Sequence, residues 1–284
     1  MSEDHVYMSL VEEHDEDAAR WAFGTGFEDP LYGIDVSVPE GVDAAQLAEY
    51  CVALGDDALV LAQRLAQWCT NAPELEIEVA LANLGLDLLG QARLLYTRAG
   101  QVDGTGRGED AYAYFRDPAE FRNVLLAEIP NGDFACTIAR LLVFSAWRLE
   151  LLDRLADSPD PVLAAVAAKG VKELSYHREF AAEWLIRLGD GTEQSRLRMQ
   201  QGLAAIAPYV EELFIARQGY GPDPADVRDA VQDVLRQVAD AAGLVLPATT
   251  PPAGSGRDGW HTEHLAPLLT ELQSEARADP EATW

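Results

Sequence analysis

The sequence predicts an all-α protein built as a bundle of long helices. Three observations carry that prediction. Four segments of more than twenty residues keep apolar side chains three and four apart. The Pro- and Gly-bearing breaks between them are short. No stretch alternates apolar and polar residues as a half-buried strand would.

The first helix is expected over 44–70, where Leu54, Ala58, Leu61, Leu65 and Trp68 share one face. "NAPE" breaks it and supplies a Pro and acids suited to the start of the second helix, over 74–98. The Gly-rich loop Gly104–Gly108 resembles a phosphate loop only weakly, since no strand precedes it, and it is read as a flexible turn. A third helix is expected from about residue 118, interrupted at "IPNGD" and resumed over 134–156. "SPDP" separates it from a fourth over 161–188, and "GDG" ends that. Further helices are expected over 192–216 and 224–242. "PATTPPAGSGRDG" reads as a linker, and a last amphipathic helix follows over 262–278 with Thr262 as its N-cap.

Residues 1–43 differ in kind. They hold twelve acids and one base, Arg20, and the stretch around "FEDPLYG" has no helical period. An extended acidic N-terminal arm is expected there, ahead of a helical domain over 44–284. Its aromatics Trp21, Phe23, Phe27 and Tyr32 argue against a wholly disordered tail.

The chain carries 48 acids against 21 bases, a formal net charge of −27. That field repels nucleic acid and anionic lipid, so neither is expected as a partner. No apolar run reaches the length of a membrane span and the N-terminus lacks a signal pattern, so a soluble, cytoplasmic protein is expected. Cys51, Cys69 and Cys136 sit singly among apolar residues and are read as buried reduced thiols.

Polar residues inside the helical pattern raise a chemical question. A Glu with a His one turn later, Glu173 and His177, suggests a di-iron carboxylate site. Such a bundle needs a Glu from each of two helices and a Glu-x-x-His from each of the other two. The first helix offers Asp56 and Asp57, and the second has a polar line of Asn83, Asp87 and Gln91. The His slots fail, however: Gly90 follows Asp87 at the third step, Tyr176 follows Glu173, and His177 falls one residue late. The third helix supplies Arg140, Ser145 and Arg148 where a carboxylate is wanted. No metal is expected in this chain. His261 and His264, in "WHTEHL", lack a third ligand and are not read as a zinc site.

Lys169 and Lys172 are the only lysines. Lys169 lies four residues before Glu173, and a compact ammonium fits a small cavity. The expectation is a buried polar network of Asp56, Asp87, Lys169, Glu173 and His177, with Lys169 as a fixed cation where a metal would otherwise stand. Lys169→Met is then expected to cost a few kcal/mol, and Arg257→Met to do little. A surface position for both lysines is the competing reading.

At these residues the sequence is similar to a known family. "LGDDALVLAQRLAQWC", "APELEIEVALANLGLDLLGQAR", "PNGDFACTIAR", "KELSYHREF" and "HTEHLAPLLTELQ" resemble the C subunits of phenylacetyl-CoA 1,2-epoxidase over Glu49 to Gln273. The resemblance implies a ferritin-like bundle without a working di-iron site, so no cofactor and no catalytic residue in this chain. It implies a structural role beside an iron-bearing catalytic subunit, with a reductase passing electrons from NADPH, in epoxidation of the ring of phenylacetyl-CoA. The alternatives are a di-iron oxygenase with unusual ligands and a free-standing helical binding protein. Trp147, Tyr209 and Phe214 are candidate interface aromatics, with a core role as the other reading.

Overall fold

The computed structural model describes residue 31 and residues 33–281. Most of the acidic arm, with its four aromatics, lies outside the described residues. Among the described residues the fold is all-α and no strand occurs.

Four long helices form the ferritin-like core: α1 (Ala44–Ala66), α2 (Leu75–Val102), α5 (Phe134–Leu155) and α6 (Pro161–Gly189). Between them stand the short α3 (Glu109–Tyr114) and α4 (Leu125–Glu128). Side-chain caps fix where most of the long helices begin. Asp43 accepts from the Ala45 and Gln46 amides, Asp133 from Cys136 and Asp160 from Leu163, with Pro161 next in line. Short connections fold α1 onto α2 and α5 onto α6, and α2 packs on α6 to join the two hairpins.

The core between them is continuous, from Leu47, Leu54 and Leu61 of α1 through Leu81 and Leu88 of α2 to Phe144 and Trp147 of α5. Glycine is required where helices approach most closely. A Cβ on Gly55 would stand 2.6 Å from the Tyr96 ring, and one on Gly170 would stand 2.5 Å from Leu152 and 3.5 Å from the Gln91 amide.

Three further helices back this core: α7 (Glu193–Ile206), α8 (Arg228–Ala241) and α9 (Leu265–Ala278). The helix expected over 192–216 stops at Ile206, because Pro208 leads a change into 3-10 turns. The last helix starts at Leu265 behind His264, not at a Thr262 cap. Thr262 Oγ1 instead accepts from the His264 amide at 3.3 Å in a local turn, while its own amide is held by Glu128. Trp147 and Phe214 belong to the core, and Tyr209 is half-buried. Of the cysteines only Cys51 is fully buried; Cys69 is exposed in the turn after α1 and Cys136 is half-buried.

Candidate functional site

The adjacent acids of α1, Asp56 and Asp57, are both fully buried, and each is held by a bidentate arginine from outside the long helices. Asp56 accepts from the Arg116 guanidinium, from Tyr96 Oη at 2.6 Å and from the Arg122 amide at 2.7 Å. Asp57 accepts from Arg257 Nη1 and Nη2 at 3.0 and 2.6 Å and from the Val124 amide at 2.8 Å. Burial pushes the Asp57 carboxyl up, and Arg257 and Arg148 oppose that shift. One helical turn thereby fixes both the segment around residues 116–124 and the turn around Arg257.

Arg257 also donates to the Ala53 and Arg122 carbonyls, at 2.9 and 2.6 Å. It cannot be a bystander: its carboxylate partner has no access to water. Removing it would leave a buried charge, so the expectation that Arg257→Met does little is overturned.

Arg148 of α5 stands fully buried between Asp57 and α2. Its Nη1 lies 3.7 Å from Asp57, its Nη2 donates to the Leu54 carbonyl at 3.1 Å and its Nε to Gln91 Oε1 at 3.0 Å. Nη1 itself has no hydrogen-bond partner among the described residues, and burial lowers the Arg148 pKa to about 10. Gln91 continues the chain, donating to Glu173 at 2.9 Å, and Glu173 is paired with Lys169. A row of alternating groups thus crosses the bundle: Arg257, Asp57, Arg148, Gln91, Glu173 and Lys169.

The five residues expected to form one network are divided among three. Lys169 pairs with Glu173 alone and is partly exposed. Asp56 belongs to Arg116, one helix pair away. Asp87, also partly exposed, meets the buried His177 Nε2 at 3.0 Å. Lys169 is therefore not surrounded by Asp56, Asp87 and Glu173, and the fully buried cations are arginines. The sequence does carry a signal for this. An Asp–Asp pair inside an apolar helix needs two cations, and Arg148 stands where a bundle of this kind wants a carboxylate. Nothing in the sequence marks Arg116 or Arg257, which arrive from 60 and 200 residues away.

This donor set does not fit a carboxylate-bridged metal pair. The carboxylates of Asp57 and Glu173 are separated by the Arg148 guanidinium, which only donates hydrogen bonds, and by the Gln91 amide, whose one acceptor oxygen is taken by Arg148. Among the described residues no three His, Cys, Asp or Glu side chains converge on one point. His261 and His264 do not converge either. His261 bridges Glu128, at 2.8 Å from Nδ1, and the Phe121 carbonyl, at 2.9 Å from Nε2. Burial pulls its pKa down, but Glu128 and Phe121 outweigh burial, and the imidazole titrates above 6.5.

Glu128 and Glu212 secure the 255–262 segment over the end of the bundle. Glu128 accepts from the Thr262 amide and Asn123, and Glu212 from the Leu125 amide, Ser255 and the Gly256 amide, each within 2.8 Å. Beside them opens a cavity of about 1160 Å³ whose wall includes Tyr50, Arg122, Trp147, Arg217 and Arg257.

The family model for phenylacetic acid catabolic proteins matches residues 37–284. The chain is 44% identical over 247 residues to the C subunit of the 1,2-phenylacetyl-CoA epoxidase of Escherichia coli (strain K12). The match spans 84% of this chain and 99% of that relative.

Proposed function

The chain belongs to the phenylacetic acid catabolic protein family, and from that premise we propose that it is the non-catalytic structural subunit of a ring-epoxidising oxygenase. In this reading it works in the cytoplasm, in a hetero-oligomer. It pairs with and supports an iron-bearing catalytic subunit that converts phenylacetyl-CoA to its ring epoxide, while a reductase subunit supplies electrons.

One observation carries the non-catalytic part: Arg148 and Gln91 fill the bundle between Asp57 and Glu173, where a metal pair would require acceptors. A guanidinium there satisfies Asp57 electrostatically and presents no lone pair to a metal. The polar row then has a structural use. It ties α1, α2, α5 and α6 together at one level, so that the outer faces of the helices stay fixed for a partner. No described helix is long and apolar enough to cross a membrane.

The test is iron content. The chain purified alone from iron-supplemented cells is expected to hold essentially none, while the complex with its partner subunits holds iron and epoxidises phenylacetyl-CoA. About two irons per isolated chain would overturn the proposal.

A further inference from the structure

Helix α2 has two apolar faces. One buries Ile77, Leu81, Leu84, Leu88 and Leu95 in the core. The other carries Leu75, Val79, Ala82, Leu86 and Leu89, spaced four, three, four and three apart, and all are exposed: Leu75 by 70%, Leu86 by 63% and Val79 by 51%. Over these fourteen steps the helix rises about 21 Å. This is the spacing of a coiled-coil seam, and it suits a second helix packed at a shallow angle. Single exposed apolar residues such as Leu197 and Val245 occur elsewhere and need no explanation; a row does.

The neighbouring helix extends the face. Glu173 and His177 of α6 turn toward α2, so Tyr176, three residues after Glu173, lies on the flank beside it, 52% exposed. Charge sets the pair apart. Helices α2 and α6 together carry six acids and six bases, a net charge of zero, so all 27 net negative charges lie elsewhere in the chain. Lys172, one turn before Tyr176, is exposed and has no ion-pair partner among the described residues.

We infer that the α2 seam with the Lys172–Tyr176 flank of α6 is the surface on which another subunit of the epoxidase docks through a helix of its own. That helix carries apolar residues at three-and-four spacing and a carboxylate opposite Lys172. This rests on the subunit reading above. A second copy of this chain fits less well. The α6 flank carries exposed carboxylates, Glu179 and Glu183, that a two-fold pairing could set against Lys172, so what disfavours a second copy is total charge. Two bodies of −27 would be brought together.

The test uses the full chain co-produced with the other epoxidase subunits, followed by size-exclusion chromatography with light scattering. Leu86→Glu and Val79→Glu are expected to weaken association about a hundredfold or more, with the isolated chain melting as the wild type does. Leu197→Glu is expected to leave association unchanged, and Lys172→Glu to weaken it about tenfold. Wild-type-like association of both seam variants overturns the inference and leaves the subunit reading standing. A wild-type chain that joins no other subunit overturns both. An isolated wild-type dimer split by Leu86→Glu assigns the seam to a second copy and overturns the inference. So does faster hydrogen exchange along α2 on removal of residues 1–30, which assigns the seam to the chain's own N-terminal segment.

Discussion

The two ends of the polar row are neutralised by different means. At the α1 end, Asp57 is wholly buried and held by two guanidinium hydrogen bonds from Arg257 and one backbone amide. At the α6 end, Glu173 is paired with a lysine whose side chain is 29% exposed. Water reaches the lysine pair and can take the ammonium's place, whereas the Asp57 carboxylate itself is sealed, although Arg257 is 14% exposed. Burial, more than the ion pair itself, decides which residue the fold depends on.

The sharpest way to break this contrast is at its buried end. Arg257→Met is expected to lower stability by about 3–5 kcal/mol, read as a shift in denaturant midpoint, because Asp57 keeps only the distant Arg148 as a counter-ion. A loss below about 1 kcal/mol would remove the distinction between the ends.

The same segment gives a pH signature. His261 titrates above its ordinary 6.5 in the folded chain, so it binds its proton more tightly folded than unfolded. Its stabilisation is therefore fully present below pH 6.5 and is lost as pH rises through the folded value. Denaturation in acidic and in alkaline buffer is expected to show this loss in the wild type. His261→Gln should show a flatter profile over the same window. Equal slopes would mean that Glu128 holds the segment without the imidazole charge.

Arg148→Met is expected to cost about 1–2 kcal/mol, well below Arg257→Met. Its Nη1 is unsatisfied, and Asp57 retains Arg257, so the loss is mainly the partners of Gln91 and Leu54. Lys169→Met is the mildest change, under about 1 kcal/mol, since Glu173 keeps Gln91 and its access to water. A Lys169 effect equal to that of Arg257 would restore the lysine as the structural cation.

Much of the fold is legible in the sequence because it is written locally. Apolar spacing and Asp or Pro caps at Asp43, Asp133 and Pro161 place the long helices to within a few residues. The helix expected over 192–216 overruns because a 3.6-residue period continues through Pro208 while the backbone does not. The candidate site is less legible. Glu173, His177 and Asp87 stand out as polar residues in apolar helices, yet nothing local points to their partners, and Arg257 looks dispensable in a Gly-rich linker.

Local sequence is enough to dictate the all-α bundle, the placing of Gly90 and Tyr176, not His, three residues after Asp87 and Glu173, and a cation on the third helix at Arg148. Each depends on residues within a turn or two of one another. It takes the folded arrangement to assign Arg116 to Asp56 and Arg257 to Asp57, to set Lys169 apart from both, and to leave the second apolar face of α2 exposed among the described residues. Those outcomes depend on which side chains are sealed from water. Sealing is a property of how distant segments close over one another, and no local period records it.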